Sequence, residues 1–413
     1  MSPAISFSER TEYYISLESK YGAHNYHPIP VVLSKGLGVY VWDVDGKKYF
    51  DYLSGYSAVN QGHCHPRIVN ALIEQAQRLT LTSRAFHNDQ LGVYEAFMSD
   101  FFGYDKVLPM NTGVEAVETA IKLCRRWAYS VKGIPEGAAK IIVCANNFHG
   151  RTTTVISFSS DPDSKKQFGP FTPGFESIPY NDLNALGNAL RDSNVAGFLV
   201  EPIQGEAGVI VPDDGFLRKA KEYCEMANVL FIGDEIQTGL ARTGKMLCCD
   251  HESVRPDILI LGKALSGGMF PISAVLADDP VMLTIKPGEH GSTYGGNPLA
   301  CFVATEALKV LREENLAQNA EQMGALLRDE IRALQSPLIS DVRGKGLLNA
   351  IEIKHSDAHA AWEICLLLKE YGLLAKPTHG DKIRLAPPLV IQREQILESV
   401  EILKRSLEEF ESR

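Results

Sequence analysis

Excess positive charge is missing from this chain: 41 lysines and arginines stand against 51 aspartates and glutamates, a net charge of −10. That balance argues against general affinity for nucleic acid or an anionic membrane. No apolar run reaches membrane-spanning length, so no transmembrane helix is expected. The stretch from Met1 to Lys20 carries acidic groups and no apolar core segment, so no secretory signal is visible. The eight cysteines, at 64, 124, 144, 224, 248, 249, 301 and 365, never fall in Cys-x-x-Cys spacing. Reduced thiols are the expectation, and with them a cytoplasmic location. A Gly-x-Gly-x-x-Gly run after a strand is also missing, and Gly36-Leu37-Gly38 precedes a hairpin, which removes a dinucleotide-binding reading. There is no internal repeat and no low-complexity segment.

What remains is an ordinary globular composition, 45% hydrophobic and 22% charged, over 413 residues. That length can bury a large core and divide into two or more domains. Tyr21 to Pro30 reads as an extended, proline-stiffened arm. Val39 to Tyr52 reads as a hairpin around an Asp45-Gly46 turn. His63, Cys64 and His65 follow, adjacent and with no distant partner at ligand spacing, so no metal is expected there.

From about residue 105 to 280, aliphatic strands alternate with helical patterns. The strands expected are 106–108, 140–144, 153–157, 197–201, 229–233, 258–261 and 272–277. Such alternation predicts an α/β fold, a mostly parallel sheet with helices on both faces. Beyond about 316 the pattern becomes helix, strand, helix, strand, helix, predicting a smaller α+β domain. The expected division is an N-terminal arm and hairpin segment at 1–56, a large domain at 57–315 and a small C-terminal domain at 316–413.

Ligands of parallel sheets sit beyond the carboxyl ends of the strands, and several of those ends carry polar groups. Ile258-Leu259-Ile260-Leu261 is an aliphatic run that delivers Lys263 just past Gly262. A buried lysine loses solvation of its charged form, its pKa falls, and the free amine becomes a nucleophile toward carbonyls such as that of pyridoxal phosphate. Asn111-Thr112-Gly113-Val114 opens a helix with free N–H groups, suited to a phosphate. Asn146 to Thr152 sets Phe148 and His149 beside Arg151. Val200 to Gly208 brings two carboxylates, Glu201 and Glu206. Asp234 ends an apolar strand and requires a cationic partner, which a protonated pyridine nitrogen would supply.

Taken together, these motifs resemble the class III (ω-) aminotransferases of fold-type I, and within them the branch acting on ornithine. Tyr21 to Tyr26, Asn60 to Pro66, Asn111 to Glu118, Phe148 to Arg151, Val200 to Gly208, Asp234 to Gly239, Gly262 to Gly268 and His290 to Pro298 carry the likeness over nearly the whole chain. The resemblance implies that Lys263 holds pyridoxal 5'-phosphate and shuttles the proton, while Asp234 keeps the ring nitrogen protonated. It further implies Phe148 stacked on the ring with His149 beside it, Gly113 and Val114 on the phosphate, and Gln237 on the ring hydroxyl. Thr293, with Ser292, would reach the phosphate from a partner subunit, implying a homodimer with shared sites. Tyr26 and Arg151 would hold the α-amino and α-carboxylate groups of L-ornithine, Tyr56 would line the pocket, and Glu201 joins the substrate-facing set. Arg384, masked by Glu206, would bind the α-carboxylate of 2-oxoglutarate. The implied reaction moves the δ-amino group of ornithine to 2-oxoglutarate by a ping-pong route, a step of proline and arginine metabolism.

Class III enzymes acting on acetylornithine or 4-aminobutyrate are the nearest alternatives. Tyr21-Gly22-Ala23-His24-Asn25-Tyr26 and Gly55-Tyr56 argue against them, because acylated or carboxyl-only substrates do not need the same polar clamp. An aminomutase on the same fold has no specific support. A non-enzymatic descendant would be expected to lose Lys263 or Asp234, and both are present.

Overall fold

The computed structural model describes residues 8–413; the part of the expected arm before Ser8 lies outside the described residues. Three strands come first: β1 (Leu33–Leu37), β2 (Tyr40–Asp43) and β3 (Lys48–Asp51). β2 and β3 form the hairpin around Asp45-Gly46, Gly46 taking the positive φ of 87° that the turn requires.

Seven strands then build the sheet that carries the site. They are β4 (Lys106–Met110), β5 (Lys140–Cys144), β6 (Phe175–Ile178), β7 (Val195–Val200), β8 (Leu230–Asp234), β9 (Ile258–Leu261) and β10 (Ser273–Ala277). Their order is β4-β10-β9-β8-β7-β5-β6, and β10 alone runs antiparallel to its neighbours. Side chains alternate between the faces of a strand. Accordingly Ile141 and Val143 pack under the helix Gly113–Trp127, with Leu199, Ile232, Ile260 and Val275. Ile142 and Cys144 pack on the other face with Phe198, Phe231 and the helices Leu183–Ala189 and Phe216–Met226. Both faces are covered, which is why these strands read as unbroken aliphatic runs.

The C-terminal part adds β11 (Ile339–Lys345), β12 (Leu348–Ile353), β13 (Leu373–Leu374), β14 (Lys376–Thr378) and β15 (Lys382–Leu385). β11, β12, β15 and β14 form an antiparallel sheet, with the helices Leu316–Ala333, Ala360–Glu370 and Arg393–Glu411 accompanying it. β13 leaves that sheet and pairs in parallel with β3, tying the N-terminal strands to this end of the chain.

Three expectations need correction. Thr153–Ser157 is a helix, not a strand. Its β-branched residues suggested a strand, but only Val155 and Ile156 are buried, and the Ser157 hydroxyl bonds back to Thr153 O at 2.7 Å. Tertiary packing overrides the weak intrinsic preference, and the next strand of the sheet is β6. Glu9–Tyr21 is a helix the sequence pattern did not suggest, because only Thr11 is buried and no apolar stripe marks it. The C-terminal strands come in hairpins rather than singly: Gly346 (φ 51°) and Gly380 (φ 77°) turn the chain back within a few residues.

Candidate active site

The carboxyl ends of β4, β5, β7, β8 and β9 open on one side of the sheet, and the predicted groups converge there. A cavity of about 200 Å³ is lined by Gly113, Val114, Phe148, His149, Gly150, Glu201, Asp234, Ile236, Gln237, Thr238 and Lys263. A second, larger basin of about 500 Å³ adjoins it through Phe148, His149 and Gly150 and opens toward Tyr26, Tyr56, Arg151, Glu206 and Arg384.

Lys263 is delivered by β9, all four residues of which are buried. Its backbone lies in the left-handed region at φ 45°, a conformation that costs a lysine about 1–3 kcal/mol and persists only where the surroundings enforce it. Burial drives its ammonium down to about 8, partly opposed by the carboxylate of Glu206. Far more of it is therefore free amine near neutrality than for a solvated lysine, which favours its role as a nucleophile.

Asp234, 4% exposed, ends β8 and accepts Ile236 N–H at 3.1 Å. Its other oxygen lies 2.6 Å from Nδ1 of the buried His149. Burial, the largest single influence, favours neutral His149, but the bond to Asp234 together with the charges of Asp234 and Glu201 outweighs it and raises the imidazole above its ordinary value. Nε2 of His149 is buried without a partner among the described residues. Behind them Glu201 accepts the Phe148 N–H at 2.8 Å, and burial lifts its carboxyl to about 7 despite nearby His149.

This set fits pyridoxal phosphate. It offers a buried amine, a buried carboxylate for a ring nitrogen, an aromatic face in Phe148 and an unsatisfied imidazole nitrogen. It also offers a helix N-terminus at Gly113, whose first N–H groups lack intrahelical partners. Thr112 caps that helix reciprocally with Glu115. Gly150, at φ 123°, is needed for closure: a Cβ there would lie 2.3 Å from Val114 Cγ2.

In the wall of the basin, Arg384 Nη1 donates to Glu206 Oε1 at 2.6 Å. Gln237 bridges the pair, donating to Glu206 at 3.0 Å and accepting from Arg384 at 3.3 Å. Desolvation alone would raise the Glu206 carboxyl, but Arg384, helped by Lys263, holds it down at about 2. The Tyr56 ring covers the Arg384 guanidinium at 4.8 Å. Tyr56 rides on an unusual turn: Ser54, Gly55, Tyr56 and Ser57 are all left-handed, with φ between 51° and 71°. Such a turn costs about 1–2 kcal/mol per non-glycine residue. Asp51 holds it by accepting the N–H groups of Leu53 and Ser54 at 2.9 Å each, with His63 on its other oxygen at 2.7 Å. His63 is thus an orienting partner of Asp51, and His65 pairs with Glu314 at 3.0 Å.

Tyr26 reaches the basin from the arm and is 69% exposed. Its neighbour His27 stacks flat on Trp362, at 4.5 Å and 13°, which pins the arm across the opening. Arg151 stands at the same end, its guanidinium 5.8 Å from the Phe148 ring.

Of the residues expected at the site, Lys263, Asp234, Gln237, Gly113, Val114, Phe148, His149, Tyr26, Tyr56, Arg151, Glu206 and Arg384 line one cavity or the other. Glu201 lines the inner cavity, not the substrate basin where it was expected, because Phe148 N–H fixes its carboxylate. Ser292 and Thr293 line neither. Ser292 Oγ accepts from Asn111 Nδ2 at 2.9 Å, and Thr293 is exposed. Sequence reasoning missed Lys376, Thr378 and His379, which line the basin from β14 and the turn after it. Their signal was the polar alternation just before Arg384.

A profile of the family described as Aminotransferase class-III matches residues 21–407. The chain belongs to the class III aminotransferases. As a class III aminotransferase it uses pyridoxal phosphate. It is 63% identical to "Ornithine aminotransferase, mitochondrial" of Rattus norvegicus, over 97% of this chain and 91% of that one. The crystal structure of the ornithine aminotransferase from Toxoplasma gondii superposes with a TM-score of 0.96 at 52% identity, covering 99% of this chain and 97% of that chain. That of an acetylornithine aminotransferase from Elizabethkingia anophelis gives 0.89 at 60% identity, covering 97% and 99%. Among the described residues of this class III aminotransferase no helix is long and apolar enough to cross a membrane.

Proposed function

We propose that this class III aminotransferase moves the δ-amino group of L-ornithine to 2-oxoglutarate, giving L-glutamate 5-semialdehyde and L-glutamate in two ping-pong half-reactions. The observation that carries the reading is the Glu206–Arg384 pair at 2.6 Å, set opposite Tyr26 and Arg151 in one basin. A free Arg384 would attract ornithine's own carboxylate and bring its α-amine, not its δ-amine, to Lys263. Paired with Glu206, Arg384 is masked. Arg151 then anchors ornithine's carboxylate, Tyr26 Oη accepts its α-ammonium, and the flexible δ-end extends toward Lys263.

Pyridoxal phosphate, when bound, supplies the aldehyde that captures the amine and a ring that withdraws electrons from the adjacent carbon. Lys263 would hold it through its side-chain amine, and that amine, its pKa lowered by burial, would serve as the base that moves the substrate's proton. Asp234, backed by His149, would keep the ring nitrogen protonated. Gly113 and Val114 would hold the phosphate, and Gln237, which lines the same cavity, would contact the ring hydroxyl. In the second half-reaction the α-carboxylate of 2-oxoglutarate takes Glu206's place on Arg384. Both are bidentate acceptors, so the guanidinium is never left unpaired. In this reading residues 57–315 bind the cofactor, 316–413 supply Arg384 and the segment 1–56 contributes Tyr26 and Tyr56 to the basin. The free thiols suit a reducing compartment, cytoplasmic in our proposal.

Incubation with L-ornithine and 2-oxoglutarate, trapping the cyclised semialdehyde with o-aminobenzaldehyde, tests the reaction; no coloured adduct would overturn it. The alternative, an N-acetylated substrate, predicts that kcat/KM for N-acetylornithine exceeds that for ornithine. Tyr26→Phe should lose about ten- to hundred-fold in kcat/KM for ornithine and little for 4-aminobutyrate, because only ornithine presents an α-ammonium to the hydroxyl. Equal losses would remove Tyr26 from the clamp.

We also infer a homodimer in which Thr293 and Ser292 serve the phosphate of the neighbouring subunit, supported by the exposed position of Thr293 outside its own cavities. Dilution to monomer should then release pyridoxal phosphate, seen as cofactor lost on ultrafiltration. A fully active monomer in light scattering would refute it.

A further inference from the structure

The exchange on Arg384 leaves a question in charge balance: where does the carboxylate of Glu206 go once a substrate carboxylate has displaced it? β14 and β15 answer it through their register. Lys376 lies directly across from Arg384 in the antiparallel pair. Residues directly opposite project from the same face of the sheet, with Cβ atoms about 4.5–5.5 Å apart. Two cations in that position repel each other. Their repulsion is relieved here only on one side, since Glu206 bonds Arg384, while the Lys376 side chain has no ion pair or hydrogen bond among the described residues.

The loop bearing Glu206 is fastened to the same face. Thr378, two residues along β14 from Lys376 and so on its side of the sheet, donates its hydroxyl to Glu206 O at 2.7 Å. Arg343 Nε donates to Gly208 O at 3.0 Å. The backbone of Glu206 is thereby held in place while its side chain remains free to pivot. Both Lys376 and Glu206 line the basin. A rotation of the Glu206 side chain about this fixed backbone would move its carboxylate away from Arg384 within the basin that Lys376 also lines.

We propose that Lys376 is the positioning residue that receives the displaced Glu206 carboxylate, so that the dicarboxylate half-reaction replaces one ion pair by two. This inference rests on the Glu206–Arg384 exchange of the proposed function. With ornithine bound, Glu206 stays on Arg384 and Lys376 is idle. With 2-oxoglutarate or glutamate bound, Glu206 sits on Lys376.

Single-turnover spectra of the holoenzyme with ornithine and with glutamate give the rates of the two half-reactions, and calorimetry gives the affinity for glutarate, an unreactive dicarboxylate. Lys376→Met should lower the glutamate-to-ornithine rate ratio about ten- to hundred-fold and weaken glutarate by a similar factor. Lys376→Arg should restore both. In a Glu206→Gln background, where no carboxylate needs a new partner, Lys376→Met should change neither. An unchanged ratio in the single variant, or equal loss in both half-reactions, would overturn the role. So would a full-size effect that persists in the Glu206→Gln background, because Lys376 would then contact the substrate itself. A wild-type enzyme inert toward ornithine would instead overturn the functional reading beneath it.

Discussion

Lys263→Ala should reduce turnover by about ten-thousand-fold or more, because one amine both captures the cofactor and moves the proton; positioned proton transfer alone contributes about 10²–10⁴. The protein should still fold, since truncation leaves Gly262, Ala264 and the buried strand β9 intact. Pyridoxal phosphate should still enter, held by Asp234, Phe148 and the helix N-terminus at Gly113. After borohydride reduction, the wild-type peptide containing Lys263 should carry the cofactor's mass and the variant peptide should not. A variant with near-normal turnover, or a wild-type adduct on another lysine, would contradict the assignment.

Glu206→Ala should have the second-largest effect, and on direction of reaction rather than on rate alone. Arg384, only 3% exposed, loses its carboxylate partner and keeps Gln237 Oε1 at 3.3 Å. An uncompensated buried charge attracts the next available anion strongly. Ornithine's carboxylate then competes for Arg384, and the α-amine is brought to Lys263 in place of the δ-amine. The ratio of ornithine to glutamate single-turnover rates should fall by about ten- to hundred-fold, glutamate gaining and ornithine losing its preference for the distal amine. An unchanged ratio would show that masking of Arg384 is not what selects the δ-amine.

Much of this site could be read from local runs of sequence. Ile258–Leu261 followed by Gly262-Lys263, and Leu230–Gly233 followed by Asp234, state strand, strand end and functional group within a few residues. The helix opened by Thr112 and Gly113 is equally local, since its cap lies within four residues. The Glu206–Arg384 pair is different. Its members are 178 residues apart, and no periodicity links them; only resemblance to a family brought them together before the structure did. The bond from His149 to Asp234 is likewise non-local, and so is the confinement of Glu201 by Phe148 N–H. The left-handed turn at Ser54–Ser57 escaped notice because one glycine in four gives little warning, and the turn is enforced by Asp51 and His63 rather than by its own residues. Thr153–Ser157 was misread for a related reason: five β-branched or small polar residues favour a strand in isolation, and the packing of Val155 and Ile156 decides for a helix.

The most direct measurement supplies ornithine carrying heavy nitrogen at its δ-amine, with unlabelled 2-oxoglutarate, and weighs the glutamate formed. Transfer from the distal end, as the masked Arg384 requires, puts the heavy nitrogen into glutamate with every turnover and leaves the α-nitrogen in the cyclised product. Unlabelled glutamate formed at a comparable rate would mean that the α-amine had reacted, and would contradict the account.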